Sequence, residues 1–279
     1  MIRRLLARGG PYAGFAVFAL VFGLPVYWIL LSVFLPPGQL LSDPPTYFTT
    51  DPTLDNIQRT AEQIPLWTYF RNSAIFAVGS SALTVALAFF AAYAFARLRF
   101  RGSNLVLLVL LLTMALPQIA TTIPLFKLYN QLGLVDTKYG LILLQASLMI
   151  PLTVWLMVSF LKQIPVELEE AAHLDGTTFP QMLYLVIWPL LKPALVTLFI
   201  VNVITAWNEL FYPLVFSSST QTRTLTIGLT QLTQVTAGTA SRPWDLLSTL
   251  SMFMIVPVIL LVVFGQRRII AGLTAGAGK

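Results

Sequence analysis

Few side chains in this sequence have the chemistry to act on a solute, and those few suit holding or passing a polar group more than transforming one. Asn202 and the run Ala206-Trp207-Asn208-Glu209 lie in or at the edge of a long apolar stretch. Counting about 1.5 Å per helical residue from Lys192, Asn202 falls roughly 15 Å along, near mid-membrane, and Glu209 roughly 25 Å along, near the far interface. An amide at that depth must face a partner helix or a wet cavity, because lipid offers it no hydrogen bond. Trp207, Asn208 and Glu209 admit two readings: an interfacial Trp beside a solvated carboxylate, or groups lining a solute path. The stretch from Pro117 to Pro124 joins this set, since prolines free carbonyls that a cavity can use.

The second set is Glu167, Glu169, Glu170, His173 and Asp175, between Lys162 and Lys192. None of it forms a catalytic constellation. A single histidine cannot build H-E-x-x-H, no serine stands in a G-x-S-x-G elbow, and the absence of cysteine removes thiolate chemistry and Cys/His zinc sites. The stretch from Gly272 to Lys279 resembles a phosphate loop only superficially. Leu273 stands where the first glycine is needed, and no Ser or Thr follows Lys279. No catalytic residue, no metal ligand and no ATP site is therefore assigned to this chain.

The elements that must position these residues are membrane spans. The chain has 279 residues, of which 57% are hydrophobic and 10% charged, too little charge to cover a soluble globule. Six apolar stretches, about 12–35, 72–96, 104–126, 139–161, 193–216 and 245–265, each reach the roughly 20 residues that cross a bilayer. The first, preceded by Arg3, Arg4 and Arg8, reads as an uncleaved signal anchor. Six crossings put both ends on one side. That side collects eleven of the 17 Lys and Arg residues, among them Arg97, Arg99 and Arg101 in one very short turn, so both termini are expected in the cytoplasm. The net charge of +6 is thus a topology signal, not a nucleic-acid surface. On the external side, the stretch 36–67 holds six prolines and reads as an irregular cap. The stretch 217–244, rich in Thr, Ser and Gln with Gly228 and Gly238, reads either as a solvated connector or as a loop touching a delivered solute or its carrier.

The longest cytoplasmic segment, 162–192, spells helix, glycine turn, helix. Pro165 suits a first helical turn, Glu167, Glu169 and Glu170 favour the positive helix end, and Gly176 suits a left-handed cap. Thr177 or Thr178 can then start a second helix with Pro180 in its first turn. The first of these helices carries Ala171 and Ala172 beside Val166, Leu168 and Leu174. It either lies flat on lipid or serves as a docking element that another backbone approaches closely. The acids at 169, 170 and 175 weigh against anionic lipid.

Glu170-Ala171-Ala172, followed by Gly176 six residues after Glu170 and by Pro189 nineteen after it, resembles the EAA loop of binding-protein-dependent ABC importer permeases. Trp188 departs from the commoner leucine ahead of the proline. The likeness runs nearly the whole chain. Pro52 to Asn56, Arg71-Asn72-Ser73, Ala206 to Glu209 and the tail from Gln266 through Gly272 to Gly276 are similar to the maltose-type carbohydrate uptake subfamily.

This resemblance implies an all-α membrane protein with six transmembrane helices, a type I ABC importer permease carrying a cytoplasmic coupling helix. It implies a cytoplasmic N-terminus at 1–11, a permease domain at 12–266 and a cytoplasmic tail at 267–279 that reaches between the ATPase subunits. The partners it implies are a second homologous permease subunit, two ATP-binding subunits holding ATP and Mg, and a periplasmic or lipoprotein solute-binding protein, all in a bacterial or archaeal inner membrane. Glu170, Ala171, Ala172, Asp175, Gly176 and Pro189 would couple to the ATPase; Asn202, Trp207, Asn208 and Glu209 would line the solute path. The competing class, an ion-coupled secondary carrier acting without an ATPase, requires intramembrane ion ligands that the sequence does not offer. Sugar, oligosaccharide, polyol and glycerol-phosphate ester all remain open as cargo.

Overall fold

The structure is a computed structural model that describes residues 2–36, 38–40, 42–98, 100–235 and 243–275. Every regular element among these residues is helical. In chain order they are α1 (Ile2–Phe34), α2 (Asp55–Gln63), α3 (Leu66–Arg97), α4 (Ser103–Leu112), α5 (Gln118–Gln131), α6 (Lys138–Leu161), α7 (Glu167–Leu174), α8 (Phe179–Met182), α9 (Trp188–Trp207), α10 (Phe211–Phe216), α11 (Leu225–Val235) and α12 (Trp244–Ala275). Five uninterrupted helices are long and apolar enough to cross a membrane: Gly14–Phe34, Leu66–Arg97, Lys138–Leu161, Phe179–Trp207 and Trp244–Gln266. The described residues hold up to six crossings if α4 and α5, which meet at 101° across a break, count as one span.

That break departs from the straight span expected at 104–126, and Pro117 accounts for it. Proline pushes the preceding residue out of helical conformation, and Leu116 is extended at φ −71°, ψ 130°. The proline itself then starts α5 at φ −61°. The fifth span departs differently. Instead of 193–216 it begins at Phe179, runs through a wide turn at Leu183–Ile187, and stops at Trp207. Proline clashes with the carbonyl four residues back, which for Pro189 is Leu185, inside the wide turn.

The chain divides into two compact units, with the divisions falling within α3, just before α11 and within α12. In the first, residues 1–68 and 225–256, the side chain of Asn56 is buried against the end of α1. Its Nδ2 donates to the carbonyls of Val33 (3.1 Å) and Leu35 (2.8 Å), which as last-turn carbonyls have no helical partner. Arg59 reaches Asp245 at 2.6 Å, and Trp67 meets Phe253 edge-on with ring centres 5.3 Å apart. The stretch 36–67 is thus irregular only as far as Leu54. Within 217–244, the expected polar loop is partly a helix: α11 buries Leu225, Ile227 and Leu232, while the Thr230 hydroxyl donates to its own backbone at Ile227 (2.8 Å). Gly238 and Arg242 lie outside the described residues.

The second unit, residues 69–224 and 257–279, has its core where α6 and α9 pack on each other and on α3. Met157 and Leu161 of α6, Leu191 and Leu198 of α9, and Ala88 and Ala92 of α3 are buried there. The contact face of α3 carries a stripe of small residues, Ala77, Ser81, Thr84, Ala88 and Ala92, at intervals of three and four, beside the larger Val85, Phe89 and Tyr93. Small residues let spans approach closely where no hydrophobic effect drives them together. The hydroxyls of Ser81 and Thr84 donate to their own helix backbone at 2.6 and 2.7 Å, so the stripe carries no orphaned donor.

Candidate functional site

The helix α7 lies in the chain between α6 and α8, and its C-terminal end is tied. At its C-terminus Gly176 adopts φ +78°, its N–H donates to His173 O (3.0 Å), and the Thr177 N–H donates to Ala172 O (3.1 Å). This pair of reversed hydrogen bonds around a left-handed glycine is the Schellman arrangement, so Gly176 is the cap its position suggested. The Thr177 hydroxyl adds a further bond to Ala172 O at 2.8 Å. At the start of the next helix, Gln181 Oε1 accepts from the Thr178 N–H at 2.8 Å, the backward half of a capping box. The N-terminal turn carries Glu167, Glu169 and Glu170, where the helix dipole favours them.

The two alanines do not act as a pair. Ala172 is buried in the core formed with Met182, Leu183 and Ile187, whereas Ala171 is exposed. Glu170, His173, Asp175 and Gly176 share that exposure, and Leu174 is 90% exposed. A helix that turns Leu174 and Ala171 outward with Glu170 beside them presents a mixed apolar and acidic face. Pro189 is exposed one position into α9, next to the wide turn that α7 packs against.

The acid that the helix buries is Glu169, which the sequence reading placed only among the acids of the helix start. Its Oε1 accepts from Arg97 Nε at 2.5 Å and its Oε2 from the Tyr93 hydroxyl at 2.9 Å. Arg97 Nη2 also donates to Ile164 O at 2.7 Å. Both side chains of the ion pair are under a tenth exposed. Arg97 reads in the sequence as a topology charge; its position four residues after Tyr93, on the same helix face, is the one signal of a further role.

The polar residues of the fifth span are placed as follows. Asn202 is buried, and its Nδ2 donates to Thr153 Oγ1 on α6 (3.1 Å), which donates on to Met149 O (2.8 Å). Of the partner helix and the wet cavity, this amide faces the helix. Trp207 is buried, edge-on to Phe70 at 5.7 Å. Asn208 is exposed and bonds Ile204 O (2.7 Å), closing the end of α9, while Glu209 Oε1 accepts from the Phe211 N–H (2.9 Å) at the start of α10. Trp207 to Glu209 therefore forms the joint between two helices.

Asp136, unmarked by the sequence reading, sits in the left-handed region at φ +58°. Its Oδ1 accepts from the N–H groups of Ser218 (2.9 Å) and Ser219 (3.0 Å), and from the Ser219 and Thr222 hydroxyls. Burial pushes this carboxyl up, and the four donors outweigh it, holding it well below the usual carboxylate range. From the other side, Asn72 Nδ2 donates to Thr220 O (3.1 Å) and Arg223 O (3.0 Å), so the segment 217–224 is pinned at several points.

Apolar helices of membrane length, with one C-capped, outward-facing surface helix between two of them, make this a multi-pass membrane protein. The chain belongs to the family of binding-protein-dependent transport system inner membrane components, whose family model matches residues 84–274. It is 36% identical over 261 residues to the sulfoquinovosyl glycerol transport system permease protein SmoH of Agrobacterium fabrum, covering 93% of this chain and 90% of that one. It is 31% identical over 279 residues to the diacetylchitobiose uptake system permease protein DasC of Streptomyces coelicolor, covering all of both. Its fold matches a chain in the crystal structure of a bacterial ABC transporter involved in the import of the acidic polysaccharide alginate, with a TM-score of 0.80, 21% identity, and coverage of 95% and 96%. SmoH and DasC are both named as transport permeases, and nothing in them supports an ion-coupled carrier. Membership of the family implies dependence on an ATPase and on a binding protein.

Proposed function

We propose that this chain is one of two homologous permease subunits of an ATP-driven importer for a carbohydrate-type solute, and that α7 is where its ATPase engages. The observation that carries the reading is α7 itself: two turns of helix closed by a glycine cap at the C-terminus, with Glu170, Ala171 and Leu174 facing outward between two apolar spans. The family match supports it, since α7 lies inside the matched residues. In this reading Glu170 makes a charge-assisted bond to a basic residue on the ATPase, Ala171 lets the partner backbone approach, Asp175 and Gly176 fix the exit of the helix, and Ala172 seats it. Pro189 keeps the turn behind it wide. Two ATPase subunits hold ATP and Mg, and an external binding protein delivers the solute.

Both termini are cytoplasmic in this reading: residues 1–11 and the tail 267–279 share a side with the loop 162–192, and 12–266 forms the membrane domain. The excess of Lys and Arg on that side supports the orientation. The carbohydrate assignment rests on SmoH and DasC, named for a glycosyl glycerol and an amino-sugar disaccharide. Exposed Asn208 and half-buried Glu209 contribute to the solute path at the joint that ends α9, with Asn202 and Trp207 holding that joint to its neighbours.

The test is Glu170→Lys in the assembled importer. The expected result is a permease that still reaches the membrane but no longer co-purifies with its ATPase or supports uptake. Normal ATPase attachment and ATP-dependent uptake in that variant would remove α7 as the docking element. The cargo class is tested by calorimetric titration of the partner binding protein with disaccharides, glycosyl glycerols and polyols, where binding of the polyols alone would overturn the assignment.

A further inference from the structure

We infer that Arg97, Tyr93 and Glu169 form a positioning joint that makes α7 and the end of α3 move as one body. This rests on the reading of α7 as the ATPase contact.

A helix of eight residues is too short to hold its own shape, and isolated helices below about 12–15 residues are marginal in water. Something in the fold must hold α7 while a partner pushes on it. Only two of its side chains are buried, Ala172 and Glu169. Ala172 offers one methyl group to the core and nothing directional. Glu169 has both carboxylate oxygens taken, one by Arg97 Nε and the other by the Tyr93 hydroxyl, which fixes its rotation as well as its position. Arg97 at the same time holds Ile164 O, at the approach to α7. One guanidinium therefore grips the helix and the chain leading into it, and a planar fork of donors is what that double grip needs.

The chain flanking α7 ties it to α6 and α8 regardless, so the joint decides something narrower: whether α3 follows. With the pair intact, displacement at the exposed face of α7 carries Tyr93 and Arg97 with it, and so the small-residue stripe of α3 packed against the core. Rigid-body motion of this kind needs a contact that does not yield, and a desolvated ion pair with its hydrogen bonds filled is such a contact. Neighbouring acids thus divide the work. Glu170 faces the partner, and Glu169 faces the span.

The chain has no cysteine, so a labelled pair can be introduced cleanly. Leu168→Cys on α7, outside the docking residues named above, and Leu87→Cys on the exposed side of α3 place two spin labels at accessible positions. The full importer, assembled with its ATPase subunits in nanodiscs, is measured by pulsed electron paramagnetic resonance without nucleotide and after trapping with ATP and vanadate. The joint predicts one narrow distance, unchanged on trapping. In E169Q and R97K the distance shifts on trapping by about 2 Å or more, the scale of helix displacements in such transitions. R97K is the informative variant, because it keeps the charge and loses the fork; a role in charge balance alone leaves its distance fixed. The combination R97E with E169R is expected to recover the narrow, nucleotide-independent distance in part. A wild-type distance that changes on trapping overturns the joint, as does an unchanged distance in both single variants. Failure of the docking reading is seen elsewhere: Glu170→Lys then leaves ATPase attachment intact, while the nucleotide-free distances still report whether the joint exists.

Discussion

Replacing Gly176 separates backbone strain from crowding at the end of α7. A Cβ added there meets nothing within 4 Å, so the site tolerates volume, but φ is +78°, where L-residues are disfavoured. The left-handed conformation costs an ordinary residue about 1–2 kcal/mol, less for asparagine and more for a β-branched residue. If the turn rewinds to escape that strain, the Gly176 and Thr177 N–H bonds to His173 and Ala172 are lost, each worth about 1 kcal/mol net. Gly176→Ala should therefore shift the balance between the capped and frayed helix end by roughly five- to thirtyfold, the equivalent of about 1–2 kcal/mol. Gly176→Val should exceed that. Gly176→Asn should fall below both, although asparagine is bulkier than alanine. The assay is amide hydrogen exchange at 176 and 177 in the purified permease, paired with ATP-dependent uptake by the assembled importer. Protection and uptake should both fall in the order Gly, Asn, Ala, Val. If they follow side-chain volume instead, with alanine outperforming asparagine, or if valine matches glycine, the capping argument is wrong.

Two further predictions concern the scaffold. Removing one partner of the Asn202 and Thr153 pair, by Asn202→Leu or Thr153→Val, should lower unfolding stability in detergent by about 0.6 kcal/mol, with a ceiling near 1.7, the range measured for hydrogen bonds between membrane helices. The double variant should lose less than the sum; full additivity would show that the two do not interact. For Asp136 the folded carboxyl titrates below its unfolded value, so its contribution to stability is present above the unfolded pKa and is lost as pH falls through the folded one. Thermal unfolding of the wild type should therefore steepen in its acid dependence below about pH 4, and Asp136→Asn should flatten that region. An identical acid slope in both proteins would remove Asp136 as the pin of 217–224.

The spans, the short surface helix and its glycine cap were legible because each follows from a local rule: apolar runs of membrane length, a left-handed glycine, acids at a helix start. Other features depend on rules that the same residues satisfy in two ways. Pro117 can kink a span or break it by 101°, and the sequence does not state which, since the outcome depends on where α4 and α5 find contacts. Leu225 to Val235 hides a helix behind threonines because their hydroxyls bond their own backbone, a use invisible in composition. The case of Glu169 is sharper. Adjacent helical residues point about 100° apart, so one of Glu169 and Glu170 had to face inward if either did, yet both are glutamate and the pattern carries no phase. Alanine at both 171 and 172 withholds the same information. Phase is set from outside α7, by Tyr93 and Arg97 one turn apart on α3. Arg97 was itself masked, because at the end of a span a topology charge and a structural charge look alike until burial separates them. An arginine closing a span four residues after a tyrosine is thus the pairing to look for wherever a run of acids leaves a short surface helix without a readable inner face.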